Sequence, residues 1–433
     1  MGILLIIIFN YGVLIYSFFK QKTWLFVEAM LLFILFYDFL FIKASYVLCD
    51  NLVYILKSWQ EYFLLITVLF ILLRYFFYGN FKIKITKENV VILLLIFLSI
   101  YSGLVGFFSG KNLLNMFLSW RSFLLPVLLF ILIAKSSRLQ NLPLKRLNKF
   151  LLIIGFFITG HSIIQFFFFA GDLSSLWFYD YFDKIKDGFI DKSYFNFIRD
   201  NKLRATSFYV SPLIFSMVQG LFFLLSFFNF LFKKKIAKVI YLLLSLFFGY
   251  GIYLSNTRIG IIMLFIGIFC GLLIYYFPKI KISFVILVPI LGVLFTFLML
   301  IFGVVGDLSA LGRLKQYVDL YLLFTPLGYG LADLKVTTYY DSWYISILFL
   351  FGIFALIYIL VHYLLINELF SKKINFADIH EQIIWYTTVS YAFSFIYIFA
   401  FQYTIGGPPL LLLYLLIQIV KTRRSETLAL MQY

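Results

Sequence analysis

The sequence predicts an all-α polytopic integral membrane protein, a single transmembrane domain over residues 1–433. Three observations carry this. Apolar residues make up 64% of the chain and charged ones 13%, and no soluble fold has interior enough to hide that much apolar surface. The apolar residues come in continuous runs about twenty long, the length that crosses a bilayer as a helix. Within the runs, apolar and polar positions do not alternate as they would in the strands of an outer-membrane barrel. The same composition excludes a disordered chain.

Taken in order, the runs fall at 3–19, 24–42, 60–78, 90–108, 120–134, 150–170, 212–231, 239–254, 259–277, 284–304, 343–362, 383–403 and 408–420. Residues 44–57 could form a short extra segment, so about 12–14 transmembrane helices are expected. The first basic residue is Lys20. The first run therefore reads as a span rather than the core of a cleavable signal, which would begin basic.

The formal net charge is +17, which at first admits a nucleic-acid partner. Sorting the charges by loop removes that reading. Alternate loops, from Lys20 and Lys22 to Lys421, Arg423 and Arg424, hold 22 of the 36 basic residues. The opposite loops hold the other 14 together with most of the acids. By the positive-inside rule the first set is cytoplasmic, and the C-terminus with it. The charge is an orientation signal.

Inner loops are short. Two outer loops are long, about 171–207 and 305–342, and function on such a scaffold is expected there. Cys49 and Cys270 are not placed to pair, and His161, His362 and His380 lack metal-ligand spacing. No Walker loop or GxGxxG appears.

The first long loop ends in Arg204 and then Ser211-Pro212, a good N-cap and first helical residue. Arg204 thus lies near a helix N-terminus, where backbone N–H groups and the dipole attract anions. It serves either a phosphate or lipid headgroups and the loop's own aspartates. Arg258 sits in Asn256-Thr-Arg258, a tight outer turn, where it either grips an anion or snorkels. Gly267 and Gly271 form GxxxG, a close-packing signal. Leu311, Leu314, Tyr317, Val318 and Tyr321 recur at helical spacing, so 309–323 reads as an interfacial amphipathic helix. Arg313 is a phosphate ligand or part of its polar face. Pro326-Leu-Gly328-Tyr-Gly330 ends that helix.

Next comes Tyr339-Tyr340-Asp341-Ser342-Trp343-Tyr344, ahead of the 343–362 run. Asp341 is a general-base candidate or the N-cap of that helix. Trp177, Phe178, Tyr179, Tyr181 and Phe182 could stack on sugars or form an interfacial aromatic belt. Glu28 and Asp38 are acids within a span, functional candidates or paired with a nearby lysine.

In order and topology these pieces resemble the O-antigen polymerase (Wzy) family of bacterial polysaccharide assembly. Four segments carry the likeness: Arg204-Ala-Thr-Ser-Phe with Ser211-Pro212; Asn256-Thr-Arg258; Arg313 with Pro326-Leu-Gly328-Tyr-Gly330; and Asp341-Ser-Trp-Tyr344 running to Leu350-Phe-Gly352-Ile. It covers about 200–365 well and the rest by hydropathy only. The gap from Arg313 to Gly328 is longer than the arginine-to-glycine spacing described for some members.

The resemblance implies a GT-C-like glycosyltransferase in the bacterial inner membrane, multi-pass, with its active site facing the periplasm. It would join undecaprenyl-diphosphate-linked repeat units in lipopolysaccharide biosynthesis, without nucleotide sugar, ATP, metal or other cofactor. Arg204 and Arg258 are implied as catalytic residues with Asp341 as base. Arg204, Arg258, Arg313, Tyr340 and Tyr344 are implied as substrate-binding. The implied partners are lipid-linked glycans, membrane lipids and a chain-length regulator protein, with no nucleic acid. The related O-antigen ligases tend to carry a histidine in the second long outer loop; residues 305–342 hold none. A lipid-linked oligosaccharide flippase or other transporter is the reading from another class. It calls for inverted repeats, broken helices and charges lining the spans, and the sequence displays few intramembrane charges and no repeat.

Overall fold

The computed structural model describes the chain apart from residues 1, 79–85, 137, 169–172, 182–196, 200–201, 302–307, 332–341, 371–375, 377, 402–406 and 431–433. Its helices are α1 (Gly2–Phe19), α2 (Thr23–Leu35), α3 (Tyr37–Ser45), α4 (Asp50–Lys57), α5 (Trp59–Tyr78), α6 (Lys87–Phe108), α7 (Leu113–Phe123), α8 (Leu125–Lys135), α9 (Leu144–Phe168), α10 (Pro212–Phe232) and α11 (Lys235–Leu254). They continue with α12 (Arg258–Tyr276), α13 (Ile282–Ile301), α14 (Leu308–Leu323), α15 (Trp343–Phe351), α16 (Ala355–Phe370), α17 (Ile379–Phe401) and α18 (Pro408–Leu430). A hairpin of β1 (Ile198–Arg199) and β2 (Lys202–Leu203) pairs Ile198 with Leu203.

Each apolar run becomes a helix or a bent pair of helices. Among the described residues nine helices are long and apolar enough to cross a membrane, or up to twelve if each bent pair is one span. The protein is a multi-pass membrane protein. The run 408–420 is the apolar part of α18, which goes on into Lys421, Arg423 and Arg424.

Two expectations change. The short extra segment expected at 44–57 is, over Asp50–Lys57, one limb of a bent pair, α4 and α5, which meet at 49°. The runs 24–42 and 120–134 are also broken, α2/α3 at 66° and α7/α8 at 55°. At the α7/α8 joint Pro126 has no N–H to give the Ser122 carbonyl, and its ring crowds that carbonyl. At the α4/α5 joint the Ser58 hydroxyl bonds back to the Tyr54 carbonyl (2.9 Å), a pattern that bends helices. At Phe36 the backbone leaves helical geometry at ψ 17°, and two residues on Asp38 reaches out to the Val210 N–H.

Helix α17 is the centre of the bundle. Of its span 94% is buried, and it packs on α9, α10, α12, α13, α15, α16 and α18. Buried on nearly all sides, it has no lipid-facing stripe to set aside. Small residues let its neighbours approach. A Cβ on Gly267 would lie 2.8 Å from Ser394 Oγ, and one on Gly271 would meet Phe228 and Ser390. The GxxxG reading as a packing face holds. Ser394 also donates across to the Met263 carbonyl at 3.1 Å.

The 343–362 run is interrupted at Gly352, where φ is +57°. The break frees backbone groups of α15 and α16, and residues 326–331 bind them. Tyr329 N–H donates to the Phe349 carbonyl (2.7 Å), Gly330 N–H to the Leu350 carbonyl (3.1 Å) and Ile353 N–H to the Pro326 carbonyl (2.9 Å). On the other side Leu331 N–H donates to the Ser102 carbonyl of α6 at 3.1 Å. Pro326-Leu-Gly-Tyr-Gly330 therefore does more than end α14: it is spliced between α6 and the broken helix. Gly328 and Gly330 have φ of +72° and +74°. A Cβ on Gly330 would strike the α6 backbone at Gly106, and one on Gly352 would strike the Pro326 carbonyl.

Gly352→Ala should therefore cost at least ~2 kcal/mol, from the positive φ and the backbone collision. The purified protein should melt several degrees lower in detergent. An unchanged Tm would mean that the splice is not a fixed part of the fold.

Candidate functional site

Two of the candidate segments, around Arg204 and around Arg258, meet in the structure. The segment before α10 enters as the β1–β2 hairpin. Arg204 N–H extends it by donating to the Phe197 carbonyl at 2.7 Å. Ala205 N–H then donates to the Leu254 carbonyl at 3.1 Å, and Arg204 Nε to the Ser255 carbonyl, also at 3.1 Å. Ser255 belongs to the turn between α11 and α12, and Arg258 is the first residue of α12. The structure thus joins the Arg204 segment to the Asn256-Thr-Arg258 turn, two sequence candidates more than fifty residues apart.

The two arginines differ in exposure. Arg204 is 8% exposed, and part of its guanidinium holds the turn in place. Arg258 is exposed. The turn is tight: Asn256 sits at φ +48°, a conformation asparagine tolerates better than most residues. Thr257 occupies the N-cap of α12 without a side-chain cap bond. Its hydroxyl pairs with Ser255 Oγ at 2.9 Å.

Gln165 of α9 fixes the segment that follows Arg204. Its Oε1 accepts from Thr206 N–H (2.9 Å) and Ser207 N–H (2.8 Å), and its Nε2 donates to Thr206 Oγ1 (3.0 Å). Ser207 is held at φ +51°, with its hydroxyl donating to the Ile158 carbonyl at 2.7 Å. Trp177 Nε1 donates to the Ser207 carbonyl at 2.7 Å. Val210 N–H donates to Asp38 Oδ2 at 3.3 Å. Asp38, singled out as an acid within a span, thus anchors the segment before α10. Tyr209 is fully buried, and burial, with Asp38 nearby, pushes its pKa well above the usual tyrosine range, so it stays neutral. Ser211 caps α10 as expected, accepting from Leu213 N–H at 3.2 Å.

The aromatic loop residues pack as structure. Leu176, Phe178, Phe197, Ile198 and Leu203 form a small core on Ile42, with Trp177, Tyr179 and Tyr181 at its edge. Lys43 Nζ donates to the Trp177 carbonyl at 2.8 Å. Phe182 lies outside the described residues.

The second long loop is described in part. Helix α14 carries Arg313 in its second turn, with nothing described of that side chain. Tyr317 tethers the helix, its hydroxyl donating to the Ala400 carbonyl at 2.6 Å and pairing with Ser342 Oγ at 3.1 Å. Val318, Tyr321 and Leu322 stay exposed, as an interfacial helix requires. Tyr340 and Asp341 lie outside the described residues. The N-cap of α15 is Ser342, whose Oγ accepts from Ile345 N–H at 3.4 Å, so the cap role expected of Asp341 falls to its neighbour. Tyr344 donates its hydroxyl to the Ile396 carbonyl at 3.1 Å and is half-buried against α17, which ties it to packing.

Two charged residues escaped the sequence reading. Arg121 Nε lies 2.7 Å from Glu61 Oε1, and its Nη2 donates to the Lys57 carbonyl at 2.7 Å. Both residues stand at the edge of an apolar run, where hydropathy reads them as ordinary flanks. Only the bends at Ser58 and Leu124 bring them inside. Compared with protein-family models and with curated proteins, the sequence matches none of them.

Replacing Gln165 with Leu would orphan two buried backbone N–H groups, each worth ~1–3 kcal/mol. The Gln165→Leu protein should melt lower and be cut faster by protease within 197–211. Wild-type protease resistance there would show that the segment does not depend on Gln165.

Proposed function

We propose that the protein is a glycosyltransferase of the O-antigen polymerase type. It would act on undecaprenyl-diphosphate-linked repeat units at the outer face of a bacterial inner membrane. The observation that carries this reading is the Arg204–Ser255 hydrogen bond, which joins the Arg204 segment to the turn that leads into exposed Arg258 at the start of α12. An exposed guanidinium at a helix N-terminus suits a diphosphate. In the proposed reaction a hydroxyl oxygen of the incoming lipid-linked sugar attacks the anomeric carbon of the growing chain. The bond from that carbon to the diphosphate oxygen breaks, and the electron pair leaves with the diphosphate. Asp341 takes the hydroxyl proton. Arg258 and Arg313 stabilise charge on the leaving oxygens, and Arg204 holds Arg258 in place.

A second reading gains from one observation. Three bent helix pairs and the Arg121–Glu61 pair within them are features a lipid-linked oligosaccharide transporter would use.

A strain without this gene separates the readings. The polymerase predicts lipopolysaccharide capped by a single repeat. A flippase predicts repeat units trapped on the cytoplasmic face, and a ligase predicts polymer retained on its carrier. For the residue, Arg258→Lys should lose roughly tenfold or more in polymer yield, because lysine cannot hold a phosphate bidentately. A wild-type ladder in that mutant would end the role of Arg258. Asp341→Asn should remove most activity by deleting the base. Full activity there would exclude general-base catalysis by Asp341.

A further inference from the structure

The three helix breaks meet. Tyr37 of α3, Gln60 of α5, Leu118, Arg121 and Ser122 of α7, and Pro408 and Leu411 of α18 line a cavity of about 240 Å³. Each break, at Phe36, Ser58 and Leu124, lies within two residues of a lining residue. The cavity has room for about eight waters, the space of one sugar ring.

Its chemistry selects among ligands. Arg121 is paired with Glu61 at 2.7 Å, so its charge is balanced. An anion gains less from a guanidinium already paired with a carboxylate than from an unpaired one. Gln60 is 5% exposed, and its Oε1 has no hydrogen-bond partner among the described residues. A buried acceptor in that state is costly until a donor arrives. An ionised phosphate offers only acceptors, whereas a sugar hydroxyl donates and accepts. The Ser122 hydroxyl donates to the Leu118 carbonyl (3.0 Å) and can still accept, and Leu118 and Leu411 supply apolar surface for ring C–H groups.

We propose that this cavity binds a single neutral, polyhydroxylated sugar ring, with Gln60 accepting from a ring hydroxyl. The inference goes beyond the polymerase reading and does not depend on it, because the cavity alone carries it.

The test uses the full chain in lipid nanodiscs and a panel of neutral methyl hexopyranosides, followed by saturation-transfer NMR. At least one glycoside should bind saturably, with no displacement by inorganic phosphate. Gln60→Leu should weaken that binding at least tenfold while Tm stays level or rises, since leucine removes an unpartnered buried acceptor. A merely structural Gln60 would instead lower Tm on replacement. Leu118→Trp, at a site 41% exposed, should also abolish binding by filling the cavity, and it keeps the test open should Gln60→Leu fail to fold. The proposal is overturned if no glycoside binds, if Gln60→Leu and Leu118→Trp bind as the wild type does, or if phosphate displaces the glycoside. The readout needs no turnover, so it is separate from the ladder assay that tests polymerisation.

Discussion

A backbone amide among apolar side chains must find a partner, and the fold follows from how this chain meets that demand. Continuous helices meet it internally. The break at Gly352 does not: it leaves the Phe349 and Leu350 carbonyls and the Ile353 N–H without helical partners. Residues 326–331 pair with all three. That splice fixes the backbone of Gly328, Gly330 and Gly352 at positive φ and brings Gly330 against Gly106 of α6. It also pins the end of α14, which the Tyr329 hydroxyl reinforces by donating to the Leu323 carbonyl at 2.8 Å. An outer segment is thereby made part of the bundle.

The same demand explains the buried polar side chains at the outer end. The segment 204–210 is irregular, and apart from Tyr209 N–H, which donates to the Thr206 carbonyl, its paired N–H groups find partners outside the segment. Gln165 serves Thr206 and Ser207, and Asp38 serves Val210. The Leu254 carbonyl serves Ala205. Glutamine and aspartate inside apolar helices are costly unless paired, so their presence is explained by the loop they hold. The proposed anion site at Arg258 rests on that scaffold.

Span positions were legible because each is a long apolar run, and the reading needed only length and composition. The GxxxG contact and the Ser211-Pro212 start were legible for local reasons. The breaks were less so. Pro126 marks one, but Phe36 and Ser58 carry no proline or glycine, and the Ser58 bond back to Tyr54 is a pattern serine also leaves unmade in straight helices. Glu61 and Arg121 were hidden because, at the edges of apolar runs, they read as flanking charges. Arg204 was recognisable as an outer arginine, while its burial against Ser255 depends on a contact across fifty residues that no local pattern encodes. The cap before α15 went to Ser342 rather than Asp341, a one-residue choice between two good capping types.

Arg121 and Arg258 thus meet different electrostatic conditions. Arg121 is neutralised by a carboxylate at 2.7 Å and bonded to a backbone carbonyl. Arg258 is exposed at a helix start, where the dipole adds to its field. A lipid-linked glycan offers both kinds of group, an anionic diphosphate and neutral rings. Under the proposed reading the diphosphate belongs at Arg258, because bringing it to Arg121 would set it against Glu61. A neutral ring gains beside Gln60, where an unpartnered acceptor can take its hydroxyl. The ion pair that looks structural would thus count against an anion in the cavity and favour an uncharged ring there.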